Sequence, residues 1–188
     1  MATKREQILD AAIEVLGTRG SRGLTHRAVD QAADLPTGST SNYFRTREAL
    51  LCGVAERLEQ RDHADWSTLH RVLGPPTVDH LVDALARFIT HATTADRIRT
   101  QARLALFGES QAMPTVAESL RRGHGRLREQ AVELAAQAGI GPVDAGILVD
   151  YMDGAVIHRL TGAEHGKDPR EALERLTRTL SSPARKAR

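Results

Sequence analysis

Between Leu35 and Phe44 the chain runs Thr37, Gly38, Ser39, Thr40, Ser41, Asn42 and Tyr43, a stretch of small hydrogen-bonding side chains closed at both ends by an apolar residue. Hydroxyls and an amide packed this densely can donate to and accept from a polar surface at short range, and Gly38 lets backbone approach an anion closely. Leu35 and Phe44 have the opposite character and would fasten the same segment to a core. A short helix entering a DNA major groove needs this division: small polar groups for base edges and phosphates, apolar anchors behind. An ordinary solvated turn is the plainer alternative, and five small polar residues between two anchors weigh against it.

Basic chemistry follows at once. Thr46 has the side chain to cap a helix, and Arg47 directly after it would put a cation at the positive end of the helix dipole, at a cost of roughly 0.3–1 kcal/mol. A DNA phosphate would offset that mismatch; the plainer alternative has Arg47 extending into solvent beside Glu48, which suits the dipole. Of the 26 basic residues all but Lys4, Lys167 and Lys186 are arginine, which suits phosphate recognition, although genomic base composition could produce the same bias. A formal net charge of +2 means that any anionic partner is met by a local patch.

Other chemistries lack their residues. A metal site in a helical bundle needs Glu-x-x-His pairs on facing helices, and the sequence contains none; HExxH and Cys/His zinc spacings are missing as well. No enzyme activity, cofactor or metal is expected. Cys52 has no second cysteine to pair with and reads as a small buried hydrophobe. No apolar run approaches the roughly 18 residues of a membrane span, and the first residues form an amphipathic pattern with acidic members, so a cytoplasmic protein is expected.

The elements that must position this chemistry are helices. Hydrophobic residues make up 40% of the chain and aromatic residues only 3%, while Ala, Leu and Arg are abundant, a balance that favours an all-α fold. Thr3 and Glu6 have the form of a capping box, and Ile8, Leu9, Ala12, Ile13 and Leu16 recur at helical spacing until Gly17 and Gly20 supply a stop. Thr25 can cap a second helix through about Ala33, with Ala28, Val29 and Ala32 inward and a turn at Asp34 to Pro36. Proline is tolerated in a first helical turn, so Leu35 to Thr37 would open a third helix carrying Gly38 to Tyr43. A fourth helix follows Thr46 and fades into the breaker Gly74 to Thr77. Longer helices are expected over Val78 to Thr93, Ala95 to Gln111, Thr115 to Ala138, Val143 to Thr161 and Pro169 to Leu180, with a basic tail beyond. The organisation expected is a head, residues 1–50, and a helical body, residues 51–188.

Two short helices across a tight turn, braced by a helix on either side, form a helix-turn-helix layout. The segment from Arg22 to Leu51, RGLTHRAVDQAADLPTGSTSNYFRTREALL, resembles the helix-turn-helix of the TetR family of transcriptional regulators, with its Phe-x-x-[Lys/Arg]-Glu-x-Leu run into the fourth helix. The resemblance implies that Thr25, His26 and Arg27 lie against the DNA backbone. It implies contacts from Thr37, Gly38, Ser39, Ser41, Asn42 and Tyr43 on the recognition helix, and a phosphate clamp at Arg47. Asp34 stands where the family has a turn glycine, which Asp tolerates better than most residues. Thr40 and Ser41 replace a frequent Leu-Tyr pair, so Tyr43 would supply the phenolic contact instead.

For the body the resemblance implies a ligand-binding and dimerisation domain. Ala145 to Leu160 is apolar over much of its circumference, and Ala172, Leu173, Leu176 and Leu180 follow on the last helix; together they are candidates for a four-helix dimer interface. Trp66, Arg99, Arg103, Phe107, Ser110, His124, Tyr151 and His158 are semi-polar candidates for a ligand pocket, each with a plainer reading as a hydrogen-bonded core or surface residue. The expected function is a homodimeric repressor on a double-stranded, inverted-repeat operator, released by a small-molecule effector; the alternative is a constitutive DNA-binding factor without one.

Overall fold

The computed structural model describes residues 3–72, 77–162 and 168–180, except for the side chains of residues 66–72. Among them every regular element is helical, as the composition implies. Helix α1 (Lys4–Gly23) opens on the expected capping box: Thr3 Oγ1 accepts from Glu6 N at 3.2 Å, and the Glu6 carboxylate accepts from Thr3 N at 2.7 Å. Gly20, at φ 67°, supplies the break near its end. Gly17 does not. It lies inside the helix at a close approach to a later helix, where an added Cβ would overlap the Ile98 carbonyl.

Helix α2 (His26–Ala32) is capped by Thr25, whose hydroxyl accepts from Ala28 N at 3.1 Å. Its inward face is Val29, Asp30 and the following Ala33; Ala32, expected to face inward, is exposed. Asp34 takes φ 52°, the left-handed turn that a glycine would otherwise occupy. Helix α3 (Ser39–Tyr43) starts later than the proline suggested. Residues 35–38 form a turn closed by Ser39 N donating to Pro36 O at 3.1 Å, and Gly38 at φ 93° has a backbone that no helix interior admits. Thr46 then caps α4 (Arg47–Val72) by accepting from Ala49 N at 3.0 Å. The remaining helices are α5 (Val78–Thr93), α6 (Arg97–Ser110), α7 (Pro114–Gln137), α8 (Pro142–Leu160) and α9 (Pro169–Leu180), within a few residues of the pattern read from periodicity.

The chain divides into two compact units, Met1–Ala64 with Asp96–Gly125, and Asp65–Ala95 with Arg126–Arg188. In the first, α1 packs on α2 and α6, and the core gathers Ile8, Leu9, Leu16, Val29, Phe44, Leu50, Val54, Ala102, Leu106 and Val116. Arg57, on α4, reaches both Asp10 oxygens at 2.9 Å and Glu6 at 3.1 Å, which pins α4 to α1. In the second, α5 packs on α8 and α9 around Leu81, Leu85, Ile89, Leu148, Met152, Leu173 and Leu180. Leu173 and Leu180, expected at a dimer interface, are thus buried in their own unit, where α9 needs an apolar stripe to dock at all. The compact unit that holds the head also takes in α6 and the start of α7, so a linear boundary at residue 50 can only be one of function.

Candidate nucleic-acid interface

The recognition segment is held from behind by a carboxylate on α2. Asp30, only 3% exposed, accepts from Gly38 N at 2.7 Å, from Thr40 N at 2.7 Å and from Thr40 Oγ1 at 2.6 Å. A helix's first amides have no intrahelical acceptors, and α3 is too short to hold itself together, so this carboxylate supplies a cap from a neighbouring helix. Burial pushes the Asp30 carboxyl pKa up, but the hydrogen bonds from Thr40 and Gly38 outweigh it and hold it below the ordinary aspartate value. Thr40, grouped in the sequence with the groove-facing residues, is fully buried by this contact. The available signal was its spacing: Asp30 sits between Val29 and Ala33 on the inward stripe of α2.

With Thr40 and Phe44 turned inward, Ser41, Asn42 and Tyr43 are exposed, Tyr43 at 47%. Their side chains make no hydrogen bond to any described residue, and neither does that of exposed Thr37. Ser39 is half-buried and donates its hydroxyl to Pro36 O at 2.6 Å, while its lone pairs remain to accept. Gly38 and Ser39 stand at the start of α3, beside the amides that Asp30 holds. Thr25 and Arg27 are exposed at the first turn of α2. His26 between them is half-buried, with Nε2 2.7 Å from Phe44 O; a carbonyl can only accept, so Nε2 carries the proton there.

Arg47 has partners within the first unit. Its Nη1 donates to Leu24 O at 2.5 Å, and its Nη2 to Ser21 O at 2.8 Å and Ser21 Oγ at 2.6 Å, with Glu109 Oε2 at 3.5 Å. The guanidinium therefore meets the last carbonyls of α1, at the negative end of that helix, while the side chain stays 36% exposed.

Of the candidate ligand residues, Arg99 and Arg103 both approach Asp62 in the first unit. Arg99 is buried and bonded to Asp96 at 2.5 Å, and Arg103 is paired with Asp62. The Asp96 contact lies at the N-cap of α6 itself, while the Arg103–Asp62 pair joins α6 to α4 within the first unit. Phe107 is exposed, and Ser110 donates to its carbonyl at 2.8 Å. His124 on α7 and His158 on α8 are exposed. Tyr151 lines a groove of about 350 Å³ in the second unit with Ala155, Arg159, Asp168, Pro169, Glu171, Ala172 and Arg175. The side chain of Trp66 lies outside the described residues. No described group of His, Cys, Asp and Glu could hold a metal ion, and no described helix is long and apolar enough to cross a membrane.

Comparison with known proteins agrees with this layout. Residues 76–183 match the family described as tetracyclin repressor-like, C-terminal domain. A stretch of 58 residues is 43% identical to the uncharacterised HTH-type transcriptional regulator in dhlA 5'region of Xanthobacter autotrophicus, a match spanning 31% of this chain and 29% of that relative. The multidrug binding protein EbrR complexed with ethidium is 28% identical, with 94% of this chain and 99% of that one covered and a TM-score of 0.69. A TetR-family member from Streptomyces coelicolor A3 is 27% identical over 93% of this chain and 98% of its own, also with a TM-score of 0.69. A helix-turn-helix with an internally capped recognition helix, joined to a body that matches the family over more than half the chain, makes this protein a member of the TetR family of transcriptional regulators.

Proposed function

We propose that the chain is a homodimeric repressor whose head reads an inverted-repeat DNA operator and whose second unit takes a small-molecule effector that releases it. The observation that supports this most directly is the arrangement of α3: Asp30 and Thr40 fix its back, while the side chains of Ser41, Asn42 and Tyr43 face outward and bond to no described residue. Side chains so presented are free to bond base edges, with Thr37, Gly38 and Ser39 at the start of α3 and Thr25, His26 and Arg27 on α2 toward the backbone. The functional division is DNA for residues 1–50 and effector and dimer for residues 51–188.

For the dimer, α8 offers Val143, Ile147 and Ile157, exposed by 77%, 39% and 43%. At 3.6 residues per turn they fall within an arc of roughly 80°, one stripe that a second copy would cover. For the effector, EbrR is complexed with ethidium and with malachite green, both aromatic cations. An amphipathic aromatic compound is the corresponding class here, and Tyr151 is the candidate contact placed beside a groove. Helix α4 begins in the head and continues into the second unit, so a ligand-linked shift along it would change how two heads are spaced.

Selection of bound sequences from a random duplex pool tests the DNA reading. It should return two half-sites related by a dyad, and Asn42→Ala should relax preference at particular bases by roughly 1–3 kcal/mol if the amide makes a bidentate contact. No enrichment from the pool would end this reading. Titrating malachite green into free protein and into the operator complex tests the effector, because DNA must weaken ligand binding by the factor that ligand weakens DNA binding.

A further inference from the structure

Arg45 stands between two fixed residues. The Phe44 ring is buried in the head's core, and the Thr46 hydroxyl caps α4, so the backbone that carries Arg45 is held on both sides. The Phe44 carbonyl accepts from His26 Nε2, which ties this turn to the first turn of α2, where Arg27 is exposed. Tyr43, two residues before Arg45, is exposed at the end of the recognition helix. Arg45 is itself exposed, and neither its side chain nor that of Arg27 makes a hydrogen bond or ion pair with any described residue.

Arg47, two positions on, is the opposite case. Its two terminal nitrogens already serve Leu24 O, Ser21 O and Ser21 Oγ, and Glu109 lies beside it as a counter-charge. Moving that guanidinium to a phosphate would take the donors from Leu24 O and Ser21 Oγ, leave Ser21 O with Leu24 N alone, and remove the counter-charge beside Glu109. Arg45 loses no protein partner by binding an anion. An arginine's planar fork suits a phosphate, and an unpaired one on rigid backbone next to a recognition helix brings the charge without ordering a loop.

Resting on the reading that the head binds duplex DNA, we propose that Arg45, with Arg27 across the His26–Phe44 bond, is the cation that meets a backbone phosphate, while Arg47 holds the end of α1. Phosphate contacts carry no base information, so Arg45 sets affinity and register, and the outward residues of α3 set sequence preference.

The test uses the full-length chain and a duplex recovered by selection, with affinity measured from 50 to 200 mM salt. Arg45→Ala should lower the magnitude of the log-log salt slope by about 0.9 per contact, or about 1.8 for two symmetric subunits, so that its affinity falls roughly 12-fold less than the parent's across that range. Its thermal midpoint and base preferences should match the parent's, and Arg45→Lys should restore the slope. Arg47→Ala should do the reverse, lowering the thermal midpoint with the slope kept. A parent-like slope for Arg45→Ala, on a chain that binds its duplex, overturns the assignment and leaves the DNA reading intact. A parent chain that binds no duplex overturns both.

Discussion

Replacing Asp30 by alanine removes one buried acceptor that three donors share, and the consequences can be worked from the geometry. Gly38 N–H, Thr40 N–H and Thr40 Oγ1 each sit 2.6–2.7 Å from the carboxylate, and Thr40 is fully buried, so at least two of them lose their partner where water cannot replace it. Hydrogen bonds to a charged group contribute about 1.5–3 kcal/mol each, but here they share one acceptor whose own desolvation cost disappears with it, so a net loss of about 3 kcal/mol is expected. Against a typical total of about 5–15 kcal/mol that is a large fraction. Urea unfolding should show a lower midpoint with an unchanged slope, and hydrogen exchange should show Gly38 and Thr40 amides losing protection before the rest of the head. Asp30→Asn, which keeps the shape and one acceptor oxygen, should lose less. The same contact sets a pH dependence. Because the folded carboxyl titrates below its ordinary value of 3.8, its contribution is complete above that value and is lost as pH falls through the lower folded value. Stability of the head at neutral pH should therefore include all of this contribution. A loss under about 0.5 kcal/mol for Asp30→Ala would refute the reasoning, since the unsatisfied donors alone should cost more than that.

Two further outcomes follow from packing. Gly17→Ala should destabilise the chain by about 1–3 kcal/mol, read as a lower thermal midpoint: the overlap with the Ile98 carbonyl is with backbone, which cannot swing aside, and it outweighs the gain of about 1 kcal/mol in helix propensity. Ile147→Glu combined with Ile157→Glu should shift sedimentation toward monomer while leaving helicity unchanged, because both side chains are exposed in the single chain and a charge there costs little until a partner covers it. An unchanged dimer would move the interface off this stripe of α8.

Helix extents were legible because their signals are local. The Thr3–Glu6 capping box, the caps at Thr25 and Thr46, and the proline at the head of α9 each act within one turn, and α5 and α9 run between the residues that periodicity names. Asp34 in a left-handed turn was legible for the same reason, since φ is set by the residue and its neighbours. The outward hydroxyl and amide side chains of α3 were legible as composition. Which of them faced outward was not.

That choice is made by pairs distant in sequence. Thr40 turns inward because Asp30, ten residues away, needs its donors, and nothing in the run from Thr37 to Asn42 distinguishes it from Ser39 or Ser41. Arg47 turns to Ser21 and Leu24 because α4 begins where α1 ends, a meeting that exists only after the first unit has packed. Gly17 reads as a helix stop and acts as a close-packing site, because its role depends on where Ile98 arrives. An apolar stripe says that a helix must be covered, and Leu173 and Leu180 carried that message correctly; whether the cover is another helix of the same unit or a second copy is decided by tertiary packing, since hydrophobic burial has no direction of its own.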